Sequence, residues 1–305
     1  MGPVLVFGHR NPDNDSICSA VAYAHLKNRT DTGSVFIPAR LGPVPRETAW
    51  VFERFGVELP IEIAHVRTRV RDVMTENPAT IGIADTMLDA GRIMRECGVR
   101  GLPVLAADGT LAGLVNERIL AERYLSETEL LAFADVPVTV AQLAHSVQGK
   151  VLVGDPAAEL SGDVHIGAYE PETTSAKVHP GDVVIVGNRV RTQPAVLEAG
   201  AACLIVAGGA RPDDEVLRIA EAKGAAVVLT GHTVYAAVRL VGLAHAVGDF
   251  ADRDPLVVSP EALLSEVAED ILGGTQRSAV VVDDARAPVG MLTRTDLARG
   301  AKRRV

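Results

Sequence analysis

The sequence predicts an α/β protein whose parallel sheets are packed with small aliphatic side chains. Hydrophobic residues make up 48% of the 305-residue chain, whereas aromatic residues make up only 4%. Short apolar runs alternate with segments of helical periodicity, and glycine-rich turns separate them. This alternation is typical of parallel sheets covered by helices. The length favours two or more domains.

The charge balance argues against nucleic acid and membranes as partners. The chain has 30 Lys and Arg residues and 39 Asp and Glu residues, a formal net charge of −9, whereas nucleic acid and anionic membranes require clustered basic side chains. We interpret the only basic run, at 302–304, as a solvated tail. Three cysteines (Cys18, Cys97 and Cys203) lie far apart in apolar surroundings, which predicts reduced core thiols in a cytoplasmic protein.

Residues 1–66 have the pattern of two consecutive βα units. We place a strand at 4–7, a helix at 16–27, a strand at 35–37 and a helix at 45–55. Helical spacing assigns Ile17, Val21, Ala24 and Leu26 to the inner side of the first helix. Such a segment begins a parallel sheet but is too small to complete it.

Residues 70–120 and 252–297 are an internal repeat with an offset of 177 positions. The offset aligns the octapeptide at 113–120 (GLVNERIL) with that at 290–297 (GMLTRTDL). Each copy predicts an amphipathic helix and then a buried strand, at 87–94 and 102–105 in the first copy and at 263–272 and 279–282 in the second. Ser259, Pro260 and Glu261 are typical of a helix N-terminus. A unit that is used twice is expected to pair with itself.

Between the two copies, residues 138–245 predict a further α/β unit. We expect strands at 183–186, 203–206 and 226–229, with helices around 197–199 and 216–222. Because strands and helices alternate, the sheet should be mostly parallel.

The loop after the first strand carries the strongest candidate for chemistry. His9, Asp13 and Asp15 follow the carboxyl end of that strand, where open α/β sheets bind ligands. One imidazole and two carboxylates suit Mn²⁺, Mg²⁺ or Fe²⁺, and two neighbouring metals would clamp a phosphoryl group and generate a hydroxide nucleophile. The residues alone also allow another interpretation, in which the loop is a plain turn and Asp15 caps the helix at Ser16.

The decapeptide from Gly8 to Ile17 (GHRNPDNDSI) resembles the first motif of the DHH phosphoesterase superfamily. It has the form found in family II (manganese-dependent) inorganic pyrophosphatases. The resemblance implies that His9 and Asp13 bind one Mn²⁺ and that Asp15 binds the other, with Mg²⁺ or Co²⁺ as alternative ions. It also implies that a metal-bridging hydroxide splits pyrophosphate.

The two repeat copies resemble CBS domains, whose signature ends in Gly-hydrophobic-x-Thr/Ser-x-x-Asp. The second copy has this ending as Gly290, Thr293 and Asp296, whereas Asn116 and Ile119 replace the Thr and the Asp in the first copy. The resemblance implies that AMP or ADP bound between the copies inhibits, and that ATP or diadenosine polyphosphates activate. It also implies a homodimer formed through the CBS domains.

The segment between the copies resembles a DRTGG domain, with 187–189 (GNR) and 207–209 (AGG) in place of the family's Gly-Asp-Arg-Thr and Thr-Gly-Gly. Regulated pyrophosphatases of this subgroup carry a CBS–DRTGG–CBS insert after the first elements of the catalytic domain. We therefore divide the chain into the start of the DHH domain (1–66), CBS domain 1 (67–125), the DRTGG domain (126–246), CBS domain 2 (247–300) and a basic tail (301–305). We expect that tail to lead to a remainder of the DHH domain that this sequence lacks.

Two residues of the second copy have the chemistry of a nucleotide site. A carboxylate at a helix start can accept hydrogen bonds from a ribose diol, which suits Asp296, and a hydroxyl near free backbone amides suits phosphate, which suits Thr293. An ordinary helix cap is the alternative. Arg100 and Arg277 hold equivalent positions before the buried strands, where they either neutralise phosphate or are solvated. We expect one ribose site per CBS pair.

The chain lacks the later metal ligands of the family. None of its eight histidines adjoins another, so no Asp-His-His motif occurs. Because three ligands are too few for two octahedral ions, we expect a nucleotide-regulated, manganese-dependent inorganic pyrophosphatase present as an incomplete and inactive chain. The alternative is a freestanding adenine-nucleotide sensor with a vestigial DHH motif. The acidic charge and the Asn-Pro-Asp-x-Asp-Ser form disfavour a phosphoesterase acting on nucleic acid or dinucleotides.

Overall fold

The computed structural model describes residues 3–64, 66–125, 133, 135–274 and 276–302. The chain divides into two compact units, Met1–Thr68 (unit 1) and Arg69–Val305 (unit 2). In the part of the chain that the structure describes, no helix is both long enough and apolar enough to cross a membrane.

Unit 1 is a small parallel sheet with two helices. Its elements are β1 (Val4–Val6), α1 (Asn14–Thr30), β2 (Phe36–Arg40), α2 (Arg46–Phe55) and β3 (Ile61–Glu62). The strand order is β1-β2-β3, and both pairings are parallel. The predicted order of the first four elements is confirmed. Strand β3 has only two residues and therefore produces no recognisable pattern.

Helix α1 buries a narrower face than the sequence predicts. Ile17, Ala20 and Ala24 are buried and Val21 is half-buried, but Leu26 is exposed. Residues 17, 20 and 24 follow helical spacing, whereas a residue two positions after Ala24 lies about 200° around the helix. The assignment of Leu26 to the inner side is therefore wrong.

The first repeat copy forms a three-stranded sheet with two helices. Its elements are a 3-10 helix (Val70–Asp72), β4 (Thr75–Glu76), β5 (Ile81–Gly82), α3 (Met87–Cys97), β6 (Gly101–Leu105), β7 (Leu111–Asn116) and α4 (Glu117–Leu125). The sheet has the order β5-β6-β7. A capping box between Thr86 and Asp89 begins α3, and Gly98, with a left-handed φ of 65°, ends it.

The middle segment forms a mostly parallel sheet between helices, as predicted. Its elements are β8 (Val138–Thr139), α5 (Val140–Ser146), β9 (Lys150–Val153), β10 (Glu159–Leu160), β11 (Val164–Ile166), α6 (Pro171–Ser175), β12 (Val183–Val186), α7 (Thr192–Glu198), β13 (Cys203–Ala207), α8 (Asp214–Lys223), β14 (Ala226–Thr230) and α9 (Val234–Val241). The main sheet has the order β11-β12-β13-β14-β9. Four strands are parallel, and β9 is antiparallel at one edge. Strands β8 and β10 form a separate antiparallel pair.

Successive residues of the central strands enter two different cores, one on each face of the main sheet. In β12, Val183 and Ile185 join one core and Val184 and Val186 join the other. Strand β13 alternates in the same way. A strand that is buried on both faces appears in the sequence as a continuous apolar run. This is why the predicted bounds of β12, β13 and β14 match the structure closely.

The sheet of the second repeat copy also contains β4, which comes from the start of the first copy. The elements of the second copy are a 3-10 helix (Val247–Asp249), β15 (Val257–Val258), α10 (Leu264–Gly273), β16 (Ser278–Val282), β17 (Pro288–Thr293) and α11 (Arg294–Lys302). The sheet has the order β15-β16-β17-β4. Val70 joins the core of the second copy, and the equivalent Val247 joins that of the first. The expectation that the repeat pairs with itself is confirmed.

Two local predictions are wrong. Helix α10 begins at Leu264, and the Ser259 hydroxyl instead accepts a hydrogen bond from the Glu261 amide within a turn. Ser and Pro favour turns as well as helix starts, so the residues at 259–261 are compatible with either structure. Of the three cysteines only Cys203 is a buried thiol, because Cys18 is half-buried and Cys97 is exposed at the end of α3.

Candidate functional site

The loop between β1 and α1 places His9 beside Asp13. His9 Nε2 lies 3.3 Å from Asp13 Oδ1, and both side chains are largely exposed. Asp13 is the N-cap of α1, since its Oδ1 accepts a hydrogen bond from the Ser16 amide at 2.9 Å. This hydrogen bond, together with the neighbouring His9, lowers the pKa of the Asp13 carboxyl. The group is therefore ionised at neutral pH, as a metal ligand must be.

Backbone contacts bring this loop back against α1 and β2. Asn11 has a left-handed φ of 56°, and its amide donates to the Leu41 carbonyl at 3.0 Å. A Cβ on Gly8 would lie 2.1 Å from Ser16 Oγ, so only glycine allows the chain to pass so close to the helix. The two contacts fix the ends of the loop that carries His9.

Asp15 lies apart from the other two candidate ligands. It stands in the first turn of α1, and its Oδ1 accepts a hydrogen bond from Ser19 Oγ at 3.4 Å. Although all three residues are described, their ligand atoms do not all lie within 4.8 Å of one another. The structure thus brings His9 and Asp13 together without Asp15. The capping role that the sequence allowed for Asp15 belongs to Asp13.

The His9 and Asp13 pair fits a hard divalent cation. Two adjacent ligands of an octahedral ion with bonds of about 2.1 Å lie about 3 Å apart, close to the 3.3 Å between Nε2 and Oδ1. Ser16 Oγ is buried beside the loop and has no hydrogen-bond partner among the described residues. The residues could therefore hold one cation whose remaining positions are filled by water or substrate.

Thr293 and Asp296 form the cap of α11. The amide and hydroxyl of Thr293 donate to Asp296 Oδ2 at 2.9 and 2.6 Å, and Asp296 is buried. In the first copy, Asn116 Oδ1 accepts from the Ile119 amide at 3.1 Å and takes the capping place of Thr293. Because the contacts in the second copy use Oδ2, a ribose hydroxyl would bind Oδ1 or displace the cap.

The two candidate arginines are not held against this cap. Arg100 is exposed, with its Nε 4.0 Å from Glu117 Oε2, and Arg277 is exposed directly before β16. In the described part of the chain, no hydrogen bond or ion pair joins either arginine to Thr293 or Asp296.

The DRTGG-like motifs both lie at the carboxyl edge of the main sheet. Gly208 and Gly209 follow β13 with left-handed φ angles of 93° and 78°. Their amides donate to the carbonyls of His232 and Thr230, at the end of β14, at 2.7 and 2.9 Å. The Arg189 guanidinium, after β12, donates to the Tyr169 carbonyl at 3.1 Å. Parallel sheets bind their ligands at this edge.

Two groups of polar side chains in unit 2 have no signal in the sequence. His145 on α5 lies 2.9 Å from Asp89 of the α3 capping box, so it joins the middle segment to the first copy. His165 lies 2.8 Å from Asp182 on the neighbouring strand segment. Both contacts depend on tertiary structure, because the partners are far apart in the sequence.

Comparisons with known proteins agree with this architecture. A DRTGG domain model matches residues 142–244, and a CBS domain model matches residues 70–126 and 247–302. A probable manganese-dependent inorganic pyrophosphatase of Thermotoga maritima is 34% identical over 304 residues, which are 99% of this chain and 55% of the relative. A cobalt-dependent inorganic pyrophosphatase of Clostridium perfringens is 28% identical over 305 residues, with the same coverage of 99% and 55%. The chain thus spans about half the length of the curated relatives it matches.

A solved structure shares the fold of unit 2. It is the crystal structure of the CBS and DRTGG domains of the regulatory region of Clostridium perfringens pyrophosphatase, complexed with the activator diadenosine tetraphosphate. The TM-score is 0.66 at 21% identity, over 75% of this chain and 100% of that chain. The chain thus has CBS and DRTGG domains in the order CBS–DRTGG–CBS, and its homologues over 99% of its length are family II (manganese- or cobalt-dependent) inorganic pyrophosphatases.

Proposed function

We propose that this chain is the leading part of a nucleotide-regulated inorganic pyrophosphatase that hydrolyses diphosphate to two phosphates. One observation carries the proposal: His9 and Asp13 pair at the carboxyl end of β1, in a chain similar over 304 residues to the Thermotoga maritima pyrophosphatase. We assign one cation, Mn²⁺ or Co²⁺, to His9 and Asp13, and a second cation to Asp15.

The residues of the loop have distinct roles in this proposal. Bound divalent cations supply a hydroxide nucleophile and positive charge for the diphosphate oxygens. His9 and Asp13 would bind the cation and fix its position. The hydrogen bond from the Ser16 amide keeps the Asp13 carboxylate ionised and holds its orientation. The Asn11 amide holds the loop that carries the two ligands to the Leu41 carbonyl, directly after β2.

We further propose that these 305 residues alone turn over diphosphate slowly or not at all. Unit 1 exposes many apolar side chains: the adjacent strand residues Val4 and Leu5 are both exposed, and Trp50 and Phe55 of α2 are 62% and 72% exposed. Parallel sheets are normally covered on both faces. This exposure supports the proposal that further helices and strands cover the sheet of unit 1 in the catalytic domain. Those helices and strands would supply the remaining metal ligands.

Two measurements on the full chain test the proposal. We expect no release of phosphate from diphosphate above background with Mn²⁺ present, and robust turnover would refute the incompleteness. We expect the chain to bind Mn²⁺, measured by the loss of the free-ion signal in electron paramagnetic resonance, and Asp13→Asn to weaken that binding. The matched control is Asp31→Asn at the half-buried C-cap of α1. Nucleotide binding without Mn²⁺ binding would favour the alternative, a freestanding sensor with a vestigial motif.

We also infer that the CBS pair binds adenine nucleotides, with AMP or ADP inhibiting and ATP or diadenosine polyphosphates activating. Support comes from the Clostridium perfringens regulatory region, which was crystallised with an activating diadenosine tetraphosphate. The exchange of Val70 and Val247 between the cores of the two copies makes the pair one packing unit, which a ligand can bias between two states. Calorimetry with AMP tests the binding.

We also propose that the domains end at residues 66, 125, 246 and 300. We further propose that the chain forms a homodimer through the CBS helices. Light scattering of the full chain with and without AMP measures the mass, and a monomer under both conditions would refute the dimer.

A further inference from the structure

Three potential metal ligands converge at the amino end of β12, away from the loop that carries His9. His165 lies on β11, whereas His179 and Asp182 lie on the turn that leads into β12. Asp182 Oδ2 is 2.8 Å from His165 Nε2 and 3.6 Å from His179 Nδ1. Among the residues that the structure describes, this is the one group of three whose ligand atoms all lie within 4.8 Å of one another.

Backbone contacts hold the carboxylate of this group in place. The Asp182 side chain is only 5% exposed. Its Oδ1 accepts from the Asp163 amide at 3.0 Å, and its Oδ2 accepts from the His179 amide at 2.7 Å. The two turns are also in close contact, because a Cβ on Gly162 would lie 2.4 Å from the Gly181 carbonyl oxygen. The carboxylate is thus oriented before any ion arrives, which lowers the entropy cost of binding.

The ligand types and spacings suit a borderline divalent cation. Two imidazoles and a carboxylate are ligands of Zn²⁺ and Co²⁺ rather than of Mg²⁺ or Ca²⁺. In a tetrahedral site with bonds of about 2.0–2.1 Å, neighbouring ligand atoms lie about 3.4 Å apart, and the observed 2.8 and 3.6 Å bracket this value. The side chains of His165 and His179 are 27% and 78% exposed, which leaves an entry path and room for a water as fourth ligand.

We propose that His165, His179 and Asp182 bind one Zn²⁺ or Co²⁺ ion, which ties β11 to the turn before β12. Binding requires a lone pair on His165 Nε2, so the proton of the neutral imidazole moves to Nδ1. The alternative is that His165 and Asp182 only form a hydrogen bond and bind no metal. In that case the exposed His179 has no role in this group.

Metal titration of the full chain separates these two cases. The background is His9→Ala with Asp13→Ala, which removes the first pair of ligands. Zn²⁺ binding is measured by calorimetry, and Co²⁺ binding by its visible absorption. We expect one equivalent of metal with a tetrahedral cobalt spectrum, and roughly a tenfold or greater loss of affinity in His179→Gln. The control is His232→Gln, at the carboxyl edge of the same sheet, which should bind as the background does.

Two results would overturn the proposal: no metal uptake by the background protein, or equal affinities for His179→Gln and His232→Gln. Thermal unfolding gives a second readout, because a ligand of the folded state raises the melting temperature. Zn²⁺ should raise it in the background protein and not in His179→Gln, and an equal rise in both would also contradict the site. Since His179 is exposed, its substitution leaves the core intact.

Discussion

Mild acid should destabilise unit 2 through protonation of one buried histidine, His245. Its ring is 1% exposed and packs edge-on against Phe133 and Phe250, with 5.4 Å between ring centroids in each pair. Among the described residues, neither ring nitrogen has a hydrogen-bond partner. Burial, together with the nearby positive charge of Arg123, lowers the pKa of His245 from 6.5 to about 4.

The size of the effect follows from the two pKa values. In the unfolded chain the imidazole takes up a proton below pH 6.5, whereas in the folded protein it stays neutral down to about pH 4. Each pH unit in this window therefore lowers the free energy of unfolding by about 1.4 kcal/mol. Over the 1.5 units from pH 6.5 to pH 5 the loss is about 2 kcal/mol. The contribution is fully present above pH 6.5, and its loss is complete below about pH 4.

Urea unfolding, followed by circular dichroism at about pH 7 and about pH 5, measures this loss. His245→Phe keeps an aromatic ring between Phe133 and Phe250 but cannot take up a proton. We expect the variant to lose about 2 kcal/mol less than the wild type between the two pH values. An identical pH dependence in both proteins would mean that the titrating group is not His245.

Three further substitutions test the nucleotide site, the loop at His9 and the contact between α5 and α3. Asp296→Ala should weaken AMP binding at least roughly tenfold in calorimetry and lower the stability by about 1 kcal/mol through the lost helix cap. The control, Asn116→Ala, should lose a similar cap and keep its affinity for AMP. Equal affinities in the two variants would mean that the nucleotide binds elsewhere. Gly8→Ala should lower both the stability of unit 1 and its Mn²⁺ affinity, because the added Cβ would lie 2.1 Å from Ser16 Oγ; thermal unfolding and metal titration measure the two effects, and wild-type values would disprove the close approach. His145→Ala removes the contact with Asp89 and should cost about 0.5–1 kcal/mol in urea unfolding, since His145 is partly exposed; a loss several times larger would mean that α5 and α3 depend on this contact.

The sequence predicted best those elements whose burial decides their pattern. Strands β12, β13 and β14 are buried on both faces, so their apolar runs mark their bounds directly. The predicted helix start at 259–261 is wrong, because these residues suit both a turn and a helix N-terminus, and the structure has the turn. The assignment of Leu26 to the core failed because helical phase, not hydrophobicity, decides which side chains face inward.

Contacts within one loop were predictable, whereas contacts between strands were not. His9 and Asp13 lie four residues apart in a loop fixed at both ends, so their pairing follows from the local chain. His165 and Asp182 meet because β11 pairs with β12 in a register that aligns His165 with Val184. Likewise, β4 pairs with β17, although most of the sequence of unit 2 lies between the two strands. The register between strands that are distant in the sequence cannot be predicted from the residues of either strand alone.

Anomalous diffraction from crystals soaked in Mn²⁺ shows whether His9 and Asp13 bind the cation, since it locates the ion itself. We expect an anomalous peak within about 2.3 Å of both His9 Nε2 and Asp13 Oδ1. Density beside these two atoms that shows only ordered water, at a Mn²⁺ concentration that fills other sites in the same crystal, would contradict this expectation.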